Sequence, residues 1–153
     1  MITARTGKAV IPFLRKQLLR AHADLVSRKK TALREFSLAL VGDRVMSDLH
    51  ARFMNIAGPT DVLTFPLEQD SRGRTTGGEV IICIPEARRQ AKNRGVELRM
   101  EVLLYALHGM LHLSGFDDRT ERDFRTMHRT EDAILQRLGF SPVFYHRAAR
   151  VTR

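Results

Sequence analysis

Residues 101–118, EVLLYALHGMLHLSGFDD, constrain this chain more than any other stretch. Leu103, Leu104, Leu107, Met110 and Leu111 wrap most of the circumference of a helix, and a helix apolar all round belongs in an interior. His108 and His112 stand four residues apart on it, so their imidazoles project from one face, a turn apart. Imidazoles placed in an interior need partners, and two that converge suit a divalent ion with nitrogen ligands. Gly115 is a natural left-handed helix end. The turn beyond it presents Asp117 and Asp118, either of which can supply a third ligand. The plainer reading is a buried helix with each imidazole merely hydrogen-bonded; the glycine break and the acids behind it favour a metal site.

Gly109 narrows the chemistry. A zinc peptidase of the His-Glu-x-x-His type carries its general base directly after the first histidine, and here that position is glycine. A peptidase or other small metallohydrolase is therefore disfavoured. The glycine instead permits another element to come close, at some cost in helix propensity.

The rest of the chain reads as alternating helices and strands. Helices are expected over 9–26, 44–54, 85–93, 97–113 and 120–138, the second with an apolar face of Val45, Leu49 and Phe53. Strands are expected over 35–41, 62–65 (stopped by Pro66) and 79–84. The last, EVIICI, is apolar on both faces and so central in its sheet. Residues 68–77, EQDSRGRTTG, read as a flexible polar loop, and His22 as a surface residue. The fold class is α+β: one small domain over 1–153, a short mixed sheet packed with helices around the buried metal-site helix. Residues 1–8 and 141–153 are expected to be loose.

Charge points to partners. Lys and Arg number 26 against 17 Asp and Glu, a net charge of +9, with arginine outnumbering lysine. Such a surface favours polyanions, and guanidinium forks grip phosphate in a two-pronged way; an arginine-rich but merely solvated surface is the alternative. The single cysteine, Cys83, lies in an apolar run and reads as a small core residue. One cysteine forbids an internal disulfide, no signal segment or membrane span is visible, and a cytoplasmic protein is expected.

LHGMLHLSGFDD resembles the signature of the YbeY family, metal-dependent endoribonucleases of rRNA maturation, which reads His-Gly-x-x-His-Leu-x-Gly-Tyr/Phe-Asp-His. GPTDVLTFP, Gly58 to Pro66, resembles the family's Pro-Thr-Asp-Val-Leu-Ser-Phe-Pro segment, and Gly78 to Ile82 is similar to its Gly-Asp-Ile-x-Ile strand. The resemblance implies a zinc site of His108, His112 and, at the position of the family's third histidine, Asp118. A carboxylate there adds negative charge and widens the choice of divalent metal. The family's arginine before the second motif is Met54 here, which leaves Arg52 as the nominated catalytic cation and Arg119 and Arg122 as RNA-binding ones. The function implied is single-strand-specific cleavage of RNA in maturation of the small-subunit rRNA 3′ end and ribosome quality control, alongside a ribosomal protein and an assembly GTPase. The alternative is a ribosome-associated RNA-binding assembly factor whose metal is structural or vestigial. His128, on the last helix, is an outside candidate for a ligand.

Overall fold

The computed structural model describes residues 10–54 and 60–141. Of the ends expected to be loose, 1–8 and 141–153, all but Ser141 lie outside the described residues, as does the break at Gly58-Pro59. The elements run α1 (Val10–Ser27), β1 (Glu35–Val41), α2 (Asp43–Met54), β2 (Val62–Gln69), β3 (Thr75–Cys83), α3 (Ile84–Arg94), α4 (Leu98–Leu113) and α5 (Glu121–Arg137). The sheet order is β1-β3-β2, with β1 parallel and β2 antiparallel to β3. A small mixed sheet dressed with helices is the α+β arrangement expected.

Strand β3 is central because its side chains are apolar on both faces. Val80 and Ile82 point into the main core with α4, whereas Ile81 and Cys83 join Met46 and Leu63 in a smaller cluster on the other face. Cys83 is fully buried and its thiol donates to the Asp43 carboxylate at 3.3 Å. Desolvation by burial pushes that thiol up to about 11, so it is an inert core residue, as expected.

Helix α4 lies against β2 and β3 and is flanked by α1, α3 and α5. Glu101 through Leu107 are all buried. Two glycines let the helix and the sheet approach. A Cβ on Gly109 would stand 2.5 Å from Cγ2 of Val80, and one on Gly78 would stand 2.6 Å from both methyl carbons of Leu113. Neither position has room for a side chain, so helix and strand interlock at two points one turn of α4 apart.

Four expectations are corrected. Strand β2 does not stop at Pro66 but runs to Gln69; it is an edge strand, where a missing N–H is tolerated. Residues 68–77 are only half loop: 68–69 end β2, 70–74 turn, and 75–77 begin β3. That turn is organised by Asp70, whose carboxylate accepts from the backbone of Arg72 and Arg74 and from the Arg74 side chain. On α2 the buried residue is Met46, while Val45 and Phe53 are 49% and 57% exposed. His22, finally, is half-buried, and its ring meets the carbonyl of Leu33 at 2.6 Å, tying α1 to the segment before β1.

Candidate metal centre

The metal-ligand geometry begins at the end of α4. Gly115 takes φ +98°, which only glycine adopts without strain. Its N–H donates to the carbonyl of His112, and that of Phe116 to the carbonyl of Leu111, both at 3.0 Å. This is the Schellman pattern, and it folds residues 116–118 back across the helix end. Asp117 and Asp118 then part company. Asp117 accepts from Arg119 at 2.7 Å and from the backbone N–H of Asp118, and the Arg119 guanidinium holds its carboxyl below the usual range. Asp118 faces the histidines.

Nε2 of His108 and Nε2 of His112 are 3.1 Å apart, and Oδ2 of Asp118 is 3.5 Å from the first and 3.6 Å from the second. Among the described residues this is the group of histidine, cysteine and carboxylate side chains whose ligand atoms converge. With metal–ligand bonds of about 2.0–2.1 Å, adjacent ligands of a tetrahedral ion lie about 3.3 Å apart. The observed triangle is thus close to one face of such a tetrahedron. Two imidazole nitrogens and one carboxylate oxygen suit a divalent ion, and the fourth direction is not filled by any of the three.

The His108 ring is held in place by a buried carboxylate. His108 Nδ1 donates to Oε1 of Glu131 at 2.7 Å, which leaves Nε2 with its lone pair toward the site in the neutral ring. Glu131 is fully buried, and its other oxygen accepts from Nδ1 of His128 at 3.0 Å. Burial works to lower the pKa of His108, but the hydrogen bond and charge of Glu131, aided by Asp118, outweigh it and raise the pKa. Burial and the neighbouring His108 lower that of His112. His128, considered as a ligand, is instead a neighbour of the centre: it stacks on His108 with ring centroids 6.4 Å apart and takes the edge of Phe124 at 3.9 Å. Glu131 was not singled out by sequence reasoning. It is 23 residues from His108, and only the docking of α5 reveals the pair.

A groove of about 410 Å³ runs from the two histidines along Val62–Pro66 of β2, with Met54 and Leu113 also on its walls. Met54 therefore occupies the wall where the resemblance led us to look for a cation. Arg52 is exposed on the same last turn of α2 and is not part of that lining. Arg119 is 86% exposed beside Asp118 and bound to Asp117, and Arg122 is exposed in the first turn of α5. The structure brings the three ligand candidates together, and none of the three arginines lines the groove. No helix among the described residues is long and apolar enough to cross a membrane.

Comparison with known proteins agrees with this architecture. A family profile described as Endoribonuclease YbeY matches residues 4–139. Curated proteins named Endoribonuclease YbeY are 40% identical over 110 residues in Thermobifida fusca and 35% identical over 113 residues in Desulforamulus reducens. These alignments take in 67% and 70% of this chain, and 71% and 74% of the relatives. A relative from Frankia casuarinae, 36% identical, is spanned over 60% of its length. Among solved structures, the solution structure of TM1509 from Thermotoga maritima superimposes with a TM-score of 0.61 at 22% identity, over 90% of this chain and 89% of that one. By profile and by sequence, the chain belongs to the YbeY family.

Proposed function

We propose that this protein is a metal-dependent endoribonuclease that cuts single-stranded RNA, acting in maturation of the small-subunit rRNA 3′ end and in ribosome quality control. The observation that carries the reading is the convergence of His108, His112 and Asp118 at the head of an open groove, in a chain whose relatives are named endoribonucleases. We assign the ligand role to these three side chains, with zinc as the first choice and other divalent ions admitted by the carboxylate. A bound divalent ion supplies a Lewis acid and lowers the pKa of water toward neutrality.

The protein's own part is positioning. Glu131 fixes the tautomer and direction of His108, and the turn at Gly115 presents Asp118. The groove along β2 receives an extended strand. Arg52, with Arg119 and Arg122, holds phosphates and offsets charge as the phosphodiester breaks. The partners on this reading are rRNA in the small subunit, a ribosomal protein and an assembly GTPase, and the location is the cytoplasm.

The decisive test incubates metal-loaded protein with single-stranded and structured RNA, with His108→Ala as control. Metal-dependent cleavage of the single strand, absent from the variant, is expected; equal cleavage by both would defeat the reading. Depletion in cells is expected to leave unprocessed small-subunit rRNA ends. A second reading, an RNA-binding assembly factor with a structural metal, is favoured by one observation: Met54 puts an apolar side chain on the groove wall. It predicts RNA binding with no turnover under any metal.

A further inference from the structure

A second groove lies away from the one at the histidines. It runs between the C-terminal end of α1 with the segment after it and the outward face of α5, and has a volume of about 400 Å³. Four cations line it: Arg28, Lys30, Arg129 and Arg137. No carboxylate does. Arg28 and Arg137 both bond to Asp24, at 3.3 and 2.6 Å, so one acid serves two guanidinium groups. Lys30 and Arg129 form no ion pair among the described residues and are exposed. Arg129 makes only a long contact, 3.4 Å, to the carbonyl of Arg125. Of the acids of α5, Glu131 and Asp132 are buried, Glu121 is bound to Arg125, and Asp123 does not line the groove. The groove therefore holds a positive excess, carried by Lys30 and Arg129 and by the two guanidinium groups that share Asp24.

Its hydroxyls refine the ligand. Thr126 donates to the carbonyl of Arg122 at 3.0 Å, and Thr130 to that of Thr126 at 2.8 Å. A threonine hydroxyl has one proton. Both are spent on the helix, so what these side chains offer the groove is acceptor oxygens. A phosphate, which only accepts, gains nothing from them. A ribose 2′-hydroxyl can donate to them, and that is the group that separates RNA from DNA. The turn after α4 contributes to both places. Phe116 lines this groove, and Asp118, two residues on, faces His108 and His112. Phe116 also offers a ring for a base to stack on.

We propose that this α1–α5 groove is a second RNA subsite, holding the ribose–phosphate backbone of a single strand whose other part lies at the metal centre. The choice of ligand rests on the endoribonuclease reading. Cations take the phosphates, the threonine oxygens take 2′-hydroxyls, and the strand passes over the turn at Gly115 from one groove to the other.

The test measures binding of a 12-nucleotide single-stranded RNA, and of DNA of the same sequence, to the full chain in chelator, by fluorescence anisotropy across salt concentrations. Lys30→Ala with Arg129→Ala should weaken RNA binding about tenfold at low salt and lower the salt slope by about 1.4, the value for two lost phosphate contacts on a single strand. Thr126→Val with Thr130→Val should narrow the preference for RNA over DNA while leaving the slope alone. Unchanged affinity and slope in the arginine–lysine double variant would overturn the subsite. So would polyglutamate competing as strongly as RNA of equal charge, which would point to an acidic protein segment. Failure of the wild-type protein to cleave RNA when metal is restored would instead remove the endoribonuclease reading. A groove variant that still weakened binding would then show the subsite intact.

Discussion

Gly109 governs how closely the helix of the two histidines can lie on the sheet, and a single methyl tests it. Alanine improves helix propensity by about 1 kcal/mol, but its Cβ would meet buried Val80 at 2.5 and 2.8 Å. Overpacking wins: Gly109→Ala should destabilise the protein by about 2 kcal/mol on denaturant unfolding. Adding Val80→Ala should give part of that back, and a neutral or stabilising single variant would show that α4 can lift away. The same contact explains why this position cannot carry the glutamate of a peptidase. Glu131 is the second residue-scale test. Glu131→Ala should lower metal affinity about 10- to 100-fold, as loss of a partner behind a histidine ligand does. Glu131→Gln, which still accepts from His108, should recover much of it. Equal affinity in all three proteins, read by competition with a chromophoric chelator, would mean that His108 needs no bracing.

At the scale of elements, α1 and α5 are joined by Asp24, which accepts from Arg137 at 2.8 and 2.6 Å and from Arg28 at 3.3 Å. Partial burial works to raise the Asp24 pKa, but the hydrogen bonds and charges of the two arginines outweigh it, so the folded-state pKa is depressed. A depressed carboxyl contributes stability that is present above its ordinary pKa and is lost as pH falls through the folded value. Asp24→Asn should therefore cost about 1 kcal/mol near neutrality and less at pH 2. An equal cost at both pH values would assign the effect to packing instead. The legibility of the chain follows the same division between local and distant. Helix α4, central β3 and the glycine turn were readable because each is written in consecutive residues: an all-round apolar run, a doubly apolar strand, a left-handed glycine. The β2–β3 hairpin was not, since its outer half is polar and Pro66 suggests a stop unless one knows that β2 is an edge. The face of α2 was misjudged by one residue, Met46 replacing Val45, because a lightly buried helix has several nearly equivalent faces. His108, His112 and Asp118 were legible from spacing and resemblance. Glu131 was not, because nothing near it in sequence says which way α5 faces.

Across the whole molecule, the metal should act as a stabilising ligand. An ion that binds only the folded chain adds about 2.7 kcal/mol when present at 100 times its Kd. Thermal unfolding with saturating zinc should therefore lie several degrees above that in chelator, and His112→Ala should remove the difference. If that variant kept the full shift, the ion would be bound elsewhere. The +9 charge belongs to this scale too: long-range attraction should speed encounter with RNA and fade as salt rises.

The turn at Gly115 has one more consequence. All three proposed ligands fall between residues 108 and 118, so the donors for the ion are neighbours along the backbone. A chain still emerging, or one whose outer helices have come loose, already carries the complete donor set. Remote parts, α5 foremost, contribute rigidity. The unfolded ensemble should then retain a trace of affinity, and zinc should protect the protein somewhat less than its tightness for the native state implies.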